Sequence, residues 1–458
     1  MNHDLPRARL RRLLAALAIV ALAAGCADDR GPPHIFVISI DTLRADYLTP
    51  YAAAPAATPV AKRLAAGGTL FSRAVTPMGI TVPVHATLLT GLMPREHGVR
   101  ANVHRLADGI ATLPELLDRA GYRTASILSL GMMNFVSGLD RGFDHATDRD
   151  ERGRAFVRDD ADTLALALDW VAAQDGSQPL FMLLHLYDVH APHLPTPRTP
   201  PMPAGYDGPL ADGVSIETLY DETRPLLDDA DDLAALRALY AGEAATADAR
   251  VGVFLEALDA AGLLEDSVVV FLADHGQGLG ENGYFGHGPT LEQTVLHVPL
   301  IIRDFRAPPR PRRVTDHVGL IDVAPTVLAL AGVDGGPALP GRNLLNVSDG
   351  DAPVPYLAEV EQRSSQTEFR PDYFDEEALA VYFDDYKLTE IDGEQRLFRI
   401  DETWGQEIEP VAMDAIHESL SVWLTEHMQA YRDGLSASER AELDDEAIEA
   451  LRSLGYIQ

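Results

Sequence analysis

Five short runs of apolar and β-branched residues alternate with helix-like stretches along the chain, and this alternation constrains the fold more than any other feature. The runs span residues 35–40, 124–130, 180–186, 267–272 and 298–302, and each has the length and composition of a buried strand. Stretches with helical periodicity lie at residues 60–66, 113–120, 160–173 and 233–261. Apolar strands that alternate with helices are typical of a mostly parallel sheet covered on both faces. The sequence therefore predicts an α/β fold in which helices flank such a sheet.

The pattern changes after Asn346. Segments 379–391 and 394–400 have the character of short antiparallel strands around Asp392-Gly393, and a polar helical tail runs from Val411 to the end. Residues 192–209 are rich in Pro and Gly, which indicates a loop or lid and not a domain linker. We therefore predict a catalytic domain over residues 34–346 and a smaller α+β subdomain over residues 347–458.

The composition excludes several classes of protein. The 458 residues include 37 Lys and Arg against 70 Asp and Glu, so the formal net charge is −33. Because nucleic acids are bound by basic surfaces, this charge argues against a nucleic-acid partner. Hydrophobic residues make up 46% of the chain, which provides a large core and excludes wholesale disorder. The single cysteine excludes an intramolecular disulfide.

The N-terminus has the pattern of an export signal. Four arginines between positions 7 and 12 precede an apolar run over residues 13–24, which is shorter than the about 20 residues of a membrane span. The run ends in Ala23-Ala24-Gly25-Cys26, which resembles the bacterial lipobox, although Ala23 stands where leucine is usual. The resemblance implies a signal peptide over residues 1–26 and a lipid anchor on Cys26. A plain secreted protein and an uncleaved anchor are the alternatives. Since Ala27 is not the aspartate that favours inner-membrane retention, we expect the periplasmic side of the outer membrane.

Acidic and imidazole side chains follow three of the predicted strands. Asp41 follows the first strand, Asp188 and His190 follow the third, and Asp274-His275 follows the fourth. In an open α/β sheet, ligands bind outside the carboxyl ends of the strands, so these groups are expected at one edge. Two carboxylates and one imidazole form a credible mixed oxygen and nitrogen site for one divalent cation. The residues leave the choice between Ca²⁺, Mn²⁺ and Zn²⁺ open.

A helix start carries a candidate nucleophile. Thr81 is predicted as the N-cap of a helix that has Pro83 in its first turn and continues over Ala86–Leu92. A hydroxyl at this position can simply cap the helix. It is also well placed for anion chemistry, because unpaired N–H groups and the positive end of the helix dipole stabilise negative charge.

The segment over residues 81–98, TVPVHATLLTGLMPREHG, resembles the sulfatase signature C/S-x-P-x-R followed by a leucine-rich L-T-G run and a P…HG ending. Further elements follow in the order expected for that family. They are Asp41, the DxHxP-like 188–192, ADHG at 273–276, GHG at 286–288, VPL at 298–300, DxxPT-like 322–326 and the closing Leu454-Gly455-Tyr456. The chain is therefore identified as a member of the sulfatase family in the alkaline-phosphatase superfamily, and an alkaline-phosphatase-like fold is expected.

Three departures from the family pattern bear on the chemistry. Sulfatases oxidise the signature Cys or Ser to formylglycine, whereas Thr81 cannot become that aldehyde. His85 stands where the signature has Arg, and Thr42 follows Asp41 where many sulfatases have a second Asp. A threonine nucleophile with one metal is more similar to lipoteichoic-acid synthases and phosphoethanolamine transferases, which share the fold. An esterified threonine must be released by attack on sulfur or phosphorus, and such attack is commoner at phosphorus. The threonine nucleophile therefore favours phosphoesters.

The resemblance implies a role for each site residue. Asp41, Asp274, His275 and the Thr81 hydroxyl would hold one divalent metal, with Thr81 also the nucleophile. His190 and His287 match substrate-contacting positions and would bind ester oxygens or protonate the leaving oxygen. His85 would take part of the role of the missing arginine. Weaker candidates are Asp46, His97, His185 and His193.

We therefore predict a metal-dependent hydrolase that cleaves sulfate or phosphate esters through a covalent threonine intermediate. The alternatives are a transferase of a phospho-substituent and an inactive sulfatase-like binding lipoprotein. Metal analysis together with a screen of sulfate, phosphate, phosphodiester and phosphonate esters would separate the three. The natural substrate and the oligomeric state are left open.

Overall fold

The computed structural model describes residues 31–135, 137–147, 157–220, 229–288, 290–333, 338–360, 378–391, 393–400, 407–411, 418–433 and 439–440. The predicted signal peptide, the lipobox with Cys26 and the closing 454–456 motif lie outside these residues. Among the helices of the described ranges, none combines the length and the apolar character that a membrane crossing requires.

Strands alternate with helices along most of the described chain. The strands are β1 His34–Ile40, β2 Thr69–Val75, β3 His104–Arg105, β4 Arg123–Leu128, β5 His145–Ala146, β6 Leu180–Leu186, β7 Ser267–Leu272, β8 Gly278–Leu279, β9 Phe285–Gly286, β10 His297–Asp304, β11 Arg312–Val314, β12 Val318–Gly319, β13 Tyr356–Val360, β14 Ala378–Phe383, β15 Tyr386–Ile391, β16 Glu394–Ile400, β17 Glu407–Val411 and β18 Glu439–Arg440. The α-helices are α1 Pro59–Gly67, α2 Thr81–Thr90, α3 Pro94–His97, α4 Leu113–Arg119, α5 Met132–Phe135, α6 Asp160–Ala172, α7 Ile216–Tyr220, α8 Ala230–Ala260, α9 Gln293–Leu296, α10 Val323–Leu330 and α11 Glu418–Asp433. Short 3-10 helices lie at Ala45–Tyr47, Leu264–Asp266, Glu281–Gly283 and Leu320–Asp322.

A nine-stranded mixed sheet forms the centre of the molecule. Its order is β11-β2-β10-β7-β1-β6-β4-β5, and β12 also pairs with β2. The strands β7, β1, β6, β4 and β5 run parallel, whereas β10 is antiparallel to both of its neighbours. Side chains of β6 and β7 are buried along their whole length, as expected when both faces of a sheet are covered. The predicted α/β fold with a mostly parallel sheet is confirmed.

Strand β2 was not predicted, and its sequence shows why. Ser72 and Arg73 interrupt the apolar pattern in the middle of the strand. Pairing with β10, β11 and β12 nevertheless holds the segment extended. The Ser72 hydroxyl donates to the carbonyl of Val314, and Arg73 forms an ion pair with Asp385 of the C-terminal part. Tertiary pairing thus overrides a weak local pattern.

In the central domain the predicted elements differ from the observed ones mainly at their ends. In the C-terminal part, the predicted strand over residues 379–391 is two strands, β14 and β15, and the predicted helical tail is wrong at Val411, which ends β17, and at β18. Strand β4 ends at Leu128, two residues before the predicted end, and α8 begins at Ala230, three residues before the predicted start. The Asp229 side chain accepts a hydrogen bond from Asp231 N and so caps α8. These differences lie at element ends, where sequence patterns are least informative.

The C-terminal part contains an antiparallel sheet, as predicted. Its order is β13-β14-β15-β16-β17, and α11 packs against it through Leu424 and Met428. The tight connection between β15 and β16 includes Gly393, whose φ of 76° is a conformation that glycine adopts without a steric penalty. The buried Glu359 carboxylate of β13 lies 2.6 Å from the Nε atom of Arg95 in α3. A buried ion pair therefore joins the C-terminal subdomain to the segment that follows α2.

Candidate active site and metal centre

Three neighbouring parallel strands bring the predicted site residues to one edge of the sheet. Strand β1 lies between β6 and β7, and the register places Ser39 beside both His185 and Leu272. Asp41 directly follows β1, and its backbone N–H donates to the carbonyl of Leu186 over 2.9 Å. Asp274 follows β7. Parallel pairing is therefore the reason that residues more than 200 positions apart meet here.

The turn after β1 is held in an unusual conformation. Thr42 has a φ of 56°, in the left-handed region that costs a residue with a Cβ about 1–3 kcal/mol. Its N–H donates to Asp274 Oδ1 over 3.2 Å, and its carbonyl accepts from the Tyr240 hydroxyl over 2.5 Å. The Tyr240 hydroxyl also accepts from the N–H of Arg44 over 2.9 Å. These contacts fix the turn that carries Asp41.

The Asp274 carboxylate has one engaged and one free oxygen. Its Oδ1 accepts from the N–H groups of Thr42 and His275, over 3.2 Å and 2.8 Å. The next residue is Gly276, where a side chain does not fit, because a Cβ on it would stand 2.0 Å from the carbonyl oxygen of Thr294. The Oδ2 atom of Asp274 has no hydrogen-bond partner among the described residues, and the same is true of Asp41 Oδ1.

Asp41, Asp274 and His275 form a group that fits a divalent cation, and we call it the metal-ligand group. All three are fully buried, and their candidate ligand atoms lie within 4.8 Å of one another. Burial raises the pKa of Asp41 to about 8, and burial together with the Asp41 charge raises the pKa of Asp274. Two carboxylates that are buried this close to each other need a compensating positive charge if both are to be ionised. Burial lowers the pKa of His275 to about 3, which keeps the ring in the neutral form that binds metals.

Thr81 is the first residue of α2 and not its N-cap, which is Ile80 in extended conformation. The prediction of an N-cap at Thr81 is therefore wrong by one position. The difference matters because the Thr81 hydroxyl does not form a hydrogen bond to the backbone of the helix. Its Oγ lies 3.5 Å from Asp41 Oδ2 and 3.3 Å from His275 Nε2, while the N–H of Val82 is capped by the Asn102 side chain over 3.0 Å. The structure thus brings Thr81 to the metal-ligand group.

His85 lies one helical turn after Thr81, on the same face of α2. Its Nδ1 is 2.9 Å from the Thr81 carbonyl oxygen, and its Nε2 is 3.1 Å from the Ser39 hydroxyl. Burial and the nearby His185 ring lower the pKa of His85 to about 3, so the ring is neutral. The carbonyl requires a proton on Nδ1, and Nε2 then accepts from Ser39. The structure places His85 as a support of Thr81, and its predicted share in the role of the missing arginine stays a prediction.

His190 and His287 face each other beside the metal-ligand group, and we call them the histidine pair. Their Nε2 atoms are 2.9 Å apart; because both Nδ1 atoms also face carbonyl oxygens, a hydrogen bond between the Nε2 atoms forms only when one of the two rings carries protons on both nitrogens. The Nδ1 of His190 is 2.7 Å from the Ala191 carbonyl, and that of His287 is 3.2 Å from the Gly79 carbonyl. The His287 ring stacks on His275 with centroids 4.5 Å apart. The predicted residues are therefore in mutual contact.

Of the four weaker candidates, His185 alone reaches the metal-ligand group within the described structure. Its Nε2 is 3.3 Å from Asp41 Oδ2, and its ring packs edge-on against His85. The sequence does not reveal that His185 faces the site, because every residue of β6 is buried and no alternation distinguishes the side chains on its two faces. The others are engaged elsewhere: Asp46 with Arg44, His97 with Thr87 and His193 with Glu243.

Comparison with known proteins bears on the family and the fold of the chain. A family model described as Sulfatase matches residues 33–333. The chain is 24% identical over 425 residues to an N-acetylglucosamine-6-O-sulfatase of Bacteroides thetaiotaomicron, with 75% of each chain covered. A solved structure of a protein in complex with its substrate D-glucosamine-2-N,6-O-disulfate aligns with a TM-score of 0.70 at 20% identity, covering 88% of this chain and 98% of the other. The phosphonate monoester hydrolase of Agrobacterium radiobacter aligns with a TM-score of 0.66 at 20% identity, covering 88% and 96%.

The two structural similarities show the fold, and the family model covers well over half of the chain. The model also spans β1, α2, β6, β7 and the histidine pair, which are the elements that carry the site. The chain therefore belongs to the sulfatase family and is an ester hydrolase of that family.

Proposed function

We propose that the protein is a metal-dependent hydrolase that cleaves sulfate or phosphate esters through a covalent ester on Thr81. The observation that carries the proposal is the position of Thr81 Oγ, which lies 3.5 Å from Asp41 Oδ2 and 3.3 Å from His275 Nε2. A hydroxyl beside candidate metal ligands and at a helix N-terminus is placed to become a nucleophile. A divalent cation held by Asp41, Asp274 and His275 would supply Lewis acidity and compensate the buried carboxylates.

The first half of the reaction forms the ester on Thr81. Thr81 Oγ attacks the sulfur or phosphorus atom in line with the leaving oxygen, and the bond to that oxygen breaks. Asp41 Oδ2 accepts the hydrogen of the Thr81 hydroxyl in the structure and is placed to receive its proton. The His287 ring of the histidine pair stacks on His275, and the pair donates the shared proton to the leaving oxygen, because an imidazole can act as a general acid.

The second half releases the product. A water molecule attacks the sulfur or phosphorus atom, and the bond between that atom and Thr81 Oγ breaks. The histidine pair takes one proton from the water, and Asp41 returns the proton that it received in the first half to the threonine oxygen. Sulfate or phosphate leaves, and the enzyme returns to its starting state. His85 keeps Thr81 in place through the bond to its carbonyl and does not exchange protons in this scheme.

Two features favour phosphorus esters among the substrates. Threonine cannot form the aldehyde through which sulfatases expel sulfate, so release requires attack on the central atom, which is commoner at phosphorus. The fold is also that of a phosphonate monoester hydrolase. Sulfate esters remain the alternative, since a relative that matches 75% of this chain is named as a sulfatase.

A kinetic comparison tests the proposal. Purified protein is assayed with nitrophenyl sulfate, phosphate, phosphodiester and phosphonate, with and without an acceptor alcohol. We expect Thr81→Ala to lower kcat by at least about 10³-fold while metal content is retained, since loss of a nucleophile costs at least this much. Thr81→Ser is the matched control and retains turnover. Undiminished turnover by Thr81→Ala would refute the nucleophile, and product formation only with the acceptor would indicate a transferase.

A further inference from the structure

A loop at the edge of the sheet opposite the site concentrates positive charge. It connects β10 with β11 and reads RAPPRPRR over residues 306–313, with four arginines and no acidic residue. The whole chain has 37 Lys and Arg against 70 Asp and Glu, so this stretch differs sharply from the average composition. Its three prolines restrict the backbone, which presents the arginines at a low cost in conformational entropy. We call these eight residues the basic loop.

Three of these arginines have no acidic partner. Arg310 and Arg313 are exposed, and Arg312 is partly exposed. The guanidinium groups of Arg312 and Arg313 donate to backbone carbonyls and to one serine hydroxyl. Within the part of the chain that the structure describes, none of the three forms an ion pair with an acidic side chain. Arg306 does form one, with Asp304 over 3.0 Å, and its charge is therefore compensated.

The basic loop lies beside the N-terminal end of β1. The N–H of Phe305, which directly precedes the loop, donates to the carbonyl of Ser267 over 2.9 Å, and Ser267 pairs with His34 in the sheet. Strand β1 has seven residues, so Asp41 at its other end lies about 23 Å from His34. The loop and the metal-ligand group therefore occupy opposite edges of the same sheet.

The predicted lipid anchor is attached to the chain at the same edge as the basic loop. Cys26 lies outside the described residues, and Gly31, the first described residue, follows it by five positions. Because an extended chain spans at most about 3.6 Å per residue, a lipidated Cys26 stands within about 18 Å of Gly31. The anchor would thus keep the edge that carries the basic loop close to the membrane, where anionic lipids attract arginines.

We propose that the basic loop docks on an anionic phospholipid surface to which Cys26 anchors the protein, so that the metal-ligand group faces away from the bilayer. Lipid phosphates bind the guanidinium groups of the loop, which are suited to bidentate contacts with phosphate. Glu265 and Asp266 precede β7 at the same edge and confine the contact to the loop. For the proposed hydrolase, on which this consequence rests, the substrates are then soluble esters and not headgroups of the anchoring membrane.

Fluorescent labels on the acylated protein test the orientation. Since Cys26 is the single cysteine and its thiol carries the lipid, an introduced cysteine is the only free thiol. Ala307→Cys places the label in the basic loop, and Leu194→Cys places it at an exposed position after His190. The protein is inserted into vesicles that contain phosphatidylglycerol and a quencher attached to lipid headgroups. We expect strong quenching at position 307 and little at position 194, and equal quenching at both would overturn the inference.

The charge dependence of the same signal tests the arginines. Each arginine near an anionic surface contributes about fivefold to the docking equilibrium, so Arg310→Gln combined with Arg313→Gln should lower it about 25-fold. Arg198→Gln is the matched control, because Arg198 is exposed on the loop over residues 192–209, and it should leave quenching unchanged. The wild-type signal should also disappear on vesicles of phosphatidylcholine alone.

Two results would overturn the inference besides equal quenching. The first is undiminished quenching at position 307 in the double variant or on the neutral vesicles. The second is a native chain that carries no fatty acid. Either result leaves the proposed function intact, because turnover of a soluble nitrophenyl ester and its loss in Thr81→Ala are measured separately and do not depend on docking.

Discussion

The hydroxyl of Tyr240 is expected to hold the turn that carries Asp41. It donates to the carbonyl of Thr42 over 2.5 Å and accepts from the N–H of Arg44 over 2.9 Å, and all three residues are buried. Tyr240→Phe leaves a buried carbonyl and a buried N–H without partners, and each such group costs about 1–3 kcal/mol. We expect the free energy of unfolding to fall by about 2–4 kcal/mol, measured by urea denaturation of the metal-free protein.

The same substitution should reach the metal-ligand group, because Thr42 N donates to Asp274 Oδ1. A loosened turn should weaken Zn²⁺ binding by about 10–100-fold, as removal of an orienting group does. Tyr122→Phe is the control: Tyr122 is equally buried, and its hydroxyl donates only to the Pro33 carbonyl, over 3.0 Å. If Tyr240→Phe is no more destabilising than Tyr122→Phe, and binds Zn²⁺ as tightly as the wild type, the account of this turn is wrong.

Three further changes have expected outcomes. The pKa of Asp41 is raised by burial from 3.8 to about 8, so the metal-free protein should lose stability as pH rises between these values. Thermal unfolding should show a smaller decrease of stability with pH in Asp41→Asn and in the metal-loaded protein. An equal dependence on pH in all samples would contradict this. Glu359→Gln breaks the buried ion pair with Arg95 and should cost about 3–5 kcal/mol of unfolding free energy in urea, whereas a loss below about 1 kcal/mol would show that the pair is unimportant. Cys26→Ala should abolish incorporation of a clickable fatty acid in cells, and absence of label on the native chain would remove the proposed lipid anchor.

The metal-ligand group could be predicted from the sequence because it depends only on the direction of the strands. Strands that run in one direction end at one edge, so Asp41, Asp274 and His275 were expected to meet, and they do. The hairpin of β15 and β16 was predictable from its composition and from the turn at Gly393, whereas β13 and β17 were not predicted.

The remaining features depend on contacts between distant segments. His185 faces the site because of the register of β6 against β1, which a fully apolar strand does not reveal. The left-handed turn at Thr42 depends on Tyr240, which lies almost 200 residues later in α8. The same is true of β2, which is held by strands that follow it by more than 200 residues.

Mass spectrometry of enzyme quenched during turnover tests the central claim most directly. The enzyme is mixed with excess phosphonate or sulfate ester, stopped with acid within one turnover, digested and mapped. The account predicts a phospho- or sulfo-adduct on the peptide that contains Thr81, absent from Thr81→Ala and from protein pretreated with a chelator. Turnover with no adduct at Thr81, or turnover that a chelator leaves unchanged, would contradict it.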